Sequence, residues 1–344
     1  MISTAQNVST LASHGELAFG ALRLTGRAFL APLSGVTDIG MRRAASRFGA
    51  GMVVSEMVAA ESYLAADEEA RLRAEGAGVQ PHVVQIVGCR PHTLAEAAQL
   101  AEASGADAID INMGCPAKRV VGGYAGAALM RDLDLATALI RAVVGVVRVP
   151  VSVKMRLGWD DGARNAPELA RRAQAEGAAM VTVHGRTRAQ FYEGRADWSA
   201  IRAVRNAIAI PLVANGDCHS AADARAMLDA SGADAVMVGR GAVGRPWLIG
   251  EIARSLRGEA PRPVSARGRR DAALAHYGSL LSSMGAQAGL RHARKHLASY
   301  ARAATEDGYA VPAGHGHRLV TGEDPGEVER LLATLWAEPG RRAA

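Results

Sequence analysis

The chain has 344 residues, 49% hydrophobic and 22% charged, enough for one large catalytic domain and a smaller one. No apolar run approaches the ~18 residues of a membrane helix, and no basic-then-apolar segment opens the chain, which argues against a membrane or secreted protein. The net charge of +6 permits a polyanionic partner without requiring one.

The cysteines Cys89, Cys115 and Cys218 form no CxxC pair. That argues against zinc, iron–sulfur and a disulfide framework, fits a reducing cytoplasm, and leaves no metal site expected. Among the 40 Lys plus Arg, only Lys118, Lys154 and Lys295 are lysines. Each is either a chance survivor or a position where a guanidinium would fail.

Residues 1–16, polar and small, read as a loose leader. The first strand is expected over Ala28–Leu33 and the second over Met52–Glu56. Ser55 and Glu56 at that second end fit a site or a structural salt bridge equally well. A strand over His82–Val87 carries Gln85 and is followed by a helix over Pro91–Ser104. In the next, Ala108–Met113, the isoleucines share one face while Asp110 and Asn112 share the other.

Its outgoing loop, Gly114-Cys115-Pro116, places a thiol where a barrel exposes its chemistry. Thiols are mostly protonated at neutral pH and can donate a proton. Cys89 and Cys218 lack such a setting and read as bystanders.

The alternation continues through helix Leu133–Val144, strand Val151–Arg156, helix Ala166–Glu176 and strand Met180–His184. Helix Trp198–Asn206, strand Pro211–Asn215, helix Ala221–Ser231 and strand Ala235–Val238 complete it. Eight strand-then-helix units predict a closed α/β (β/α)8 TIM barrel over 17–257. Lys154, Arg156, Thr182, His184 and Asn215 share the polar face of their strands with Gln85 and Asn112. So many polar groups at one level cannot be packing alone, because each buried one needs a partner. The ring suits a planar heterocycle. Asn215-Gly216-Asp217 and Gly239-Arg240-Gly241 supply glycines in the two loops where barrels bind phosphate. Gly239–Gly244 also matches GxGxxG, but no further βαβ units follow it, which disfavours a dinucleotide fold.

Beyond Gly258, Pro261 and Pro263 mark a linker, and 258–344 reads as a smaller all-helical domain. Arg254–Arg302 holds ten basic residues against Glu259 and Asp271, with His276, His292 and His296 among them. Gly308–Asp324 reads as a loop.

Taken in order, Ala31-Pro32-Leu33-Ser34-Gly35-Val36-Thr37-Asp38, Asn112-Met113-Gly114-Cys115-Pro116, Lys154-Met155-Arg156-Leu157-Gly158-Trp159 and His184-Gly185-Arg186-Thr187-Arg188 resemble the tRNA-dihydrouridine synthases. Asn215-Gly216-Asp217 and Gly239–Trp247 extend the likeness, which runs from Leu22 to Ala301. Arg294-Lys295-His296 looks most like the bacterial B-type subfamily. The chain departs from the family pattern at Leu33, Ser34 and Cys218, and Leu33 keeps the volume of the usual Met.

The resemblance implies an oxidoreductase that reduces the C5=C6 bond of specific tRNA uridines, with FMN as cofactor and NADPH or NADH as reductant. It implies hydride delivery to C6 and a proton from Cys115 to C5. By the same likeness Pro32, Leu33 and Ser34 lie against the flavin, while Gln85, Lys154 and His184 meet its polar edge. Asn215, Gly216, Asp217, Gly239 and Arg240 hold its phosphate. Asn112 orients the substrate base, Arg186 is a further substrate-binding residue, and Lys118, Arg294 and Lys295 meet tRNA. No obligate protein partner is implied. Two alternatives stay open: an FMN barrel acting on a small pyrimidine or enone, and a tRNA-binding scaffold without flavin.

Overall fold

In the computed structural model, which describes residues 16–76 and 78–337, the chain opens on a hairpin of β1 (Glu16–Phe19) and β2 (Leu22–Thr25). Most of the expected leader, residues 1–15, lies outside the described residues. Glu16 is already paired with Thr25. The hairpin itself is absent from the sequence reading. Leu17, Phe19 and Leu24 alternate inward and pack with Phe29, Met52, Val83, Met180 and Met237, plugging the bottom of the barrel. Each such side chain contributes about 1.5–3 kcal/mol through burial.

Strands β3 (Ala28–Leu30), β4 (Met52–Val54), β6 (His82–Val87), β7 (Ala108–Met113), β8 (Val151–Arg156), β9 (Met180–His184), β10 (Leu212–Asn215) and β11 (Ala235–Val238) are all parallel. They close into an eight-stranded barrel, with β11 bonded to β3 and the two-residue β5 (Val58–Ala59) on β6. The first two strands are shorter than expected. Pro32 lacks the N–H a ladder needs, and the chain turns where Val36 and Thr37 both donate to the Leu33 carbonyl.

The valines, isoleucines and leucines on the strands' outer face pack under the surrounding helices as the main core. Inside, register sets the polar groups side by side. Gln85 pairs with Asp110, Asn112 with Lys154, Lys154 with Thr182, and His184 with Asn215.

After residue 258, helices Ala266–Met284, Ala286–Glu306, His315–Thr321 and Pro325–Ala333 follow. The expected loop over Gly308–Asp324 therefore contains a helix. Fully buried Leu319 anchors it, and His315 Nε2 lies 2.9 Å from the Leu331 carbonyl oxygen. The helical part also shares its core with the barrel. Trp247, on the barrel side of the boundary at 258, sits edge-on to Phe48 and to Trp336 at 6.1 Å in each case.

Polar contacts continue that seam. Asp38 caps helix Ile39–Arg47 by accepting from Met41 N–H, and His276 Nε2 lies 3.0 Å from the same Oδ1. Gly40 is needed there, since a Cβ would fall 2.7 Å from the His276 ring. Burial pushes the Asp38 carboxyl up, but His276 and His296 outweigh it and hold it far below the ordinary carboxylate range. Burial and the neighbouring His276 push His296 down to about 4.

Candidate active site

The cleft of about 1000 Å³ at the strands' C-terminal ends is lined by Pro32, Leu33, Ser34, Gln85, Asn112, Cys115, Lys154, His184, Arg186, Asn215, Gly216, Asp217, Gly239 and Arg240. The sequence-derived barrel residues thus converge on one opening, the expected place in this fold.

At its floor a polar chain is closed on itself. Ser152 donates to Asp110 Oδ1 at 2.5 Å, and Gln85 Nε2 donates to Asp110 Oδ2 at 2.6 Å. Asn112 Nδ2 donates to Gln85 Oε1 at 2.8 Å. Burial pushes Asp110 up to about 6, against the lowering hydrogen bonds from Ser152 and Gln85. Lys154 Nζ donates to Asn215 Oδ1 at 3.1 Å, and Asn215 Nδ2 to the Met237 carbonyl at 2.8 Å. Burial brings Lys154 down to about 8, with Asp110 opposing the shift. Lys154 is therefore a buried cation that can surrender a proton near neutral pH.

Cys115 is half-buried and fixed at both backbone ends. Its N–H donates to Asn112 Oδ1 at 2.9 Å, and its carbonyl accepts from Ala127 N–H at 3.0 Å. The Asn112 carbonyl also accepts from Gly114 N–H at 3.1 Å. The expected substrate residue Asn112 is thus largely spent on shaping the cysteine loop, with one amide N–H left for a ligand.

Buried Arg156, whose role the sequence left undefined, ties that loop to the next. It donates to the carbonyls of Gly114, Thr187 and Phe191 at 2.8–2.9 Å. Its charge lies 5.5 Å from the Tyr192 ring, an exposed aromatic at the mouth absent from the sequence reading. Nothing in the Gln190–Glu193 segment marks Tyr192 except an aromatic pair in an otherwise polar loop.

Arg186 lines the cleft with its side-chain donors already committed. It is 1% exposed, and its five donors are all engaged, by Asp217 Oδ1 and Oδ2, His184 Nε2, and the carbonyls of Glu193 and Gly194. A guanidinium committed in this way orients its neighbours. His184 Nε2 must accept from it. The ring is then neutral, as burial and the cations Arg156 and Lys154 require by holding its pKa well below the ordinary value.

The Asp217 carboxylate is likewise occupied, by Arg186, by Arg240 at 3.1 Å and by Ala196 N–H at 2.8 Å, so it positions these cations. The free donors of this corner are backbone. Among the described residues, the N–H groups of Gly216, Gly239, Arg240 and Gly241 meet no protein acceptor. Half-exposed Arg240 adds charge.

The substrate-side cations separate. Lys118 is exposed beside the cleft, whose lining takes Arg119 instead. Lys295 is exposed on the helical domain but reaches the first loop, its Nζ 3.3 Å from where a Gly35 Cβ would lie. Arg294 is half-buried beside it. Glu56, left undecided by the sequence, accepts a short hydrogen bond from Gly35 N–H and so braces the turn carrying Pro32–Ser34. Cys218 is buried, and burial pushes its thiol up to about 12; Cys89 lines the cleft edge.

Comparison with known proteins fits this geometry. The structure is similar to histamine dehydrogenase from Rhizobium sp. 4-9, with a TM-score of 0.53 at 13% identity over 77% of this chain and 50% of that one, a likeness of fold alone. In sequence the chain is 51% identical over 326 residues to a probable tRNA-dihydrouridine synthase of Rhizobium leguminosarum bv. phaseoli, covering 94% of this chain and 100% of the relative. It is 46% identical over 285 residues to tRNA-dihydrouridine synthase B of Xanthomonas axonopodis pv. citri, covering 82% and 86%. The family model for dihydrouridine synthase (Dus) matches residues 29–311, and the chain belongs to that family.

Proposed function

We propose that this protein reduces uridines in tRNA to dihydrouridine, with FMN in the barrel mouth, NADPH as reductant and Cys115 as proton donor. The observation that carries the reading is the convergence of one fixed thiol, one buried lysine and a wall of polar groups on a single cleft. The residues fit a flavin phosphate at one end, through the free N–H groups of Gly216, Gly239, Arg240 and Gly241. They fit a planar polar edge at the other, through Gln85, Lys154 and His184, with Pro32 and Leu33 as the apolar side and Ser34 beside them. Bound FMN would supply the hydride that C6 of the uracil must receive.

The protein's own task is charge and proton control. Adding hydride at C6 leaves an enolate across C5 and the carbonyl, and the Cys115 thiol gives C5 its proton. The thiolate so formed faces the charges of Lys154 and Arg156, which stabilise it. The remaining Asn112 N–H would hold the base. Because the target must leave its stack to enter the cleft, binding costs a few kcal/mol of unstacking. Phosphate contacts through Lys118, Arg294 and Lys295 would offset that cost in a salt-dependent way.

Among the described residues, no helix is long and apolar enough to cross a membrane. The cysteine usage fits work in the reducing cytoplasm, with no obligate protein partner. The direct assay incubates the protein with FMN, NADPH and tRNA lacking dihydrouridine, then digests the tRNA for mass spectrometry. Uridines gaining two hydrogens are expected, with free uracil unreacted; equal turnover of free uracil would favour a small-molecule reductase.

A further inference from the structure

Away from the cleft, the seam between barrel and helical domain holds a cluster of donors that the reaction does not use. Asp38 comes from the first barrel loop. His292 and His296 come from helix Ala286–Glu306, where a four-residue spacing puts both rings on one face. Asp38 Oδ2 lies 3.1 Å from His296 Nε2 and 3.9 Å from His292 Nε2, and the three donor atoms all fall within 4.8 Å of one another.

The contacts are not those of settled hydrogen bonds. His296 is 2% exposed, yet its Nε2 makes no aligned hydrogen bond despite the nearby carboxylate; His292 Nε2 is likewise buried and unpartnered. His296 Nε2 is thus held by an ion-pair contact with Asp38, and His292 Nε2 comes no closer than 3.9 Å, both turned toward one carboxylate oxygen that an ion could share with them. From this geometry we infer that Asp38, His292 and His296 form a transition-metal site, most suited to Zn²⁺, that clamps the helical domain to the barrel.

The ligand set of two imidazoles and a carboxylate is a zinc set, and a tetrahedral ion with bonds of ~2.0–2.1 Å needs donor separations of ~3.3 Å. The Asp38–His296 spacing is already close to this, and the His292 ring must move in to meet it. The outer shell is already built. His276 Nε2 holds Asp38 Oδ1 at 3.0 Å, and His276 Nδ1 lies 3.0 Å from the Tyr300 hydroxyl. His292, with a side chain 20% exposed, gives the ion a path from solvent and leaves its fourth position to water.

Lys295 and Arg73 also face His292. The single carboxylate disfavours a hard Ca²⁺ or Mg²⁺, which would need more oxygen ligands, while the nearby cations oppose any dication and limit its affinity. The absence of CxxC in the sequence bears on thiolate sites alone; the H-x3-H spacing of His292 and His296 is the signal for this one. Because Asp38 ends the loop that begins at Pro32, an ion here would hold the cleft's first loop and the helical domain in one pose.

The test titrates chelator-treated protein with Co²⁺ as a spectroscopic probe, then with Zn²⁺ while recording thermal unfolding. Expected are one ion per chain, visible bands of a four-coordinate Co²⁺ bound by nitrogen and oxygen, and a Tm raised by Zn²⁺. His292→Ala, at a half-buried position that should fold, should weaken binding at least tenfold and abolish the Tm rise. No Co²⁺ bands with the wild-type chain would overturn the site. So would binding unchanged in His292→Ala, or a thiolate charge-transfer band that places the ion on cysteine. None of these readouts depends on dihydrouridine formation, so the clamp and the proposed reaction fail separately.

Discussion

Lys154 shows how burial turns an ordinary side chain into a titrating one. Its ammonium is sealed in the barrel lumen, and burial lowers it from 10.5 to about 8. Between those values the folded chain binds fewer protons than the unfolded chain, so this residue makes stability rise with pH across that window. Below pH 8 the cost of the buried charge is fully present. If the charged form supports the reaction, kcat/KM should fall above about pH 8. Lys154→Arg, which cannot deprotonate in this range, should move that limb upward if it still folds. A pH–rate profile of both proteins checks this, and an unchanged limb would remove Lys154 from the chemistry. At this scale the sequence was legible wherever strand alternation decided direction, as for Gln85, Asn112, Lys154, His184 and Asn215. It did not reveal that Arg186 and Asp217, both in expected site motifs and both on the cleft wall, pair with each other, because sequence spacing carries no sign of that contact.

The loop carrying Cys115 is the element on which the proposed chemistry rests. Asn112 caps its start, Arg156 grips the Gly114 carbonyl, and Ala127 N–H closes it. Gly126 makes that closure possible. Its φ of +59° belongs to the left-handed region, and a Cβ there would lie 2.8 Å from the Cys115 carbonyl oxygen. Gly126→Ala should therefore cost about 1–3 kcal/mol in stability and displace the thiol. Dihydrouridine formation is expected to fall at least tenfold, since reacting groups tolerate little misplacement. Flavin binding should persist, measured by visible absorption; normal turnover would mean the loop is not what positions Cys115. Helices Leu133–Val144 and Ala221–Ser231 were legible to the residue from their apolar spacing. The hairpin Glu16–Thr25 and helix His315–Thr321 were not. Each is too short for its periodicity to stand out, and tertiary burial of Phe19 and Leu319 decides them.

Across the whole molecule, the break expected at 258 is a break in chain character but not in packing. Trp247 and Phe48 belong to the barrel by sequence and to the helical core by contact, and Asp38 meets His276 and His296 across the same seam. A chain ended at Gly258 should consequently expose two large aromatics and a buried carboxylate. It should aggregate or melt well below the full chain in circular dichroism; a monomer with an unchanged melt would show that the barrel stands alone. The (β/α)8 architecture was readable because its eight repeats each carry a strand signal. The seam was not, because it joins residues far apart in sequence with no shared period.

In the proposed reaction, Cys115 gives the reduced base its proton at the mouth of this barrel. Cys115→Ala, reconstituted with FMN and given NADPH and unmodified tRNA, isolates that step. The variant should stay yellow and oxidise NADPH while the digested tRNA shows almost no dihydrouridine by mass spectrometry. Dihydrouridine at the wild-type rate would contradict the claim.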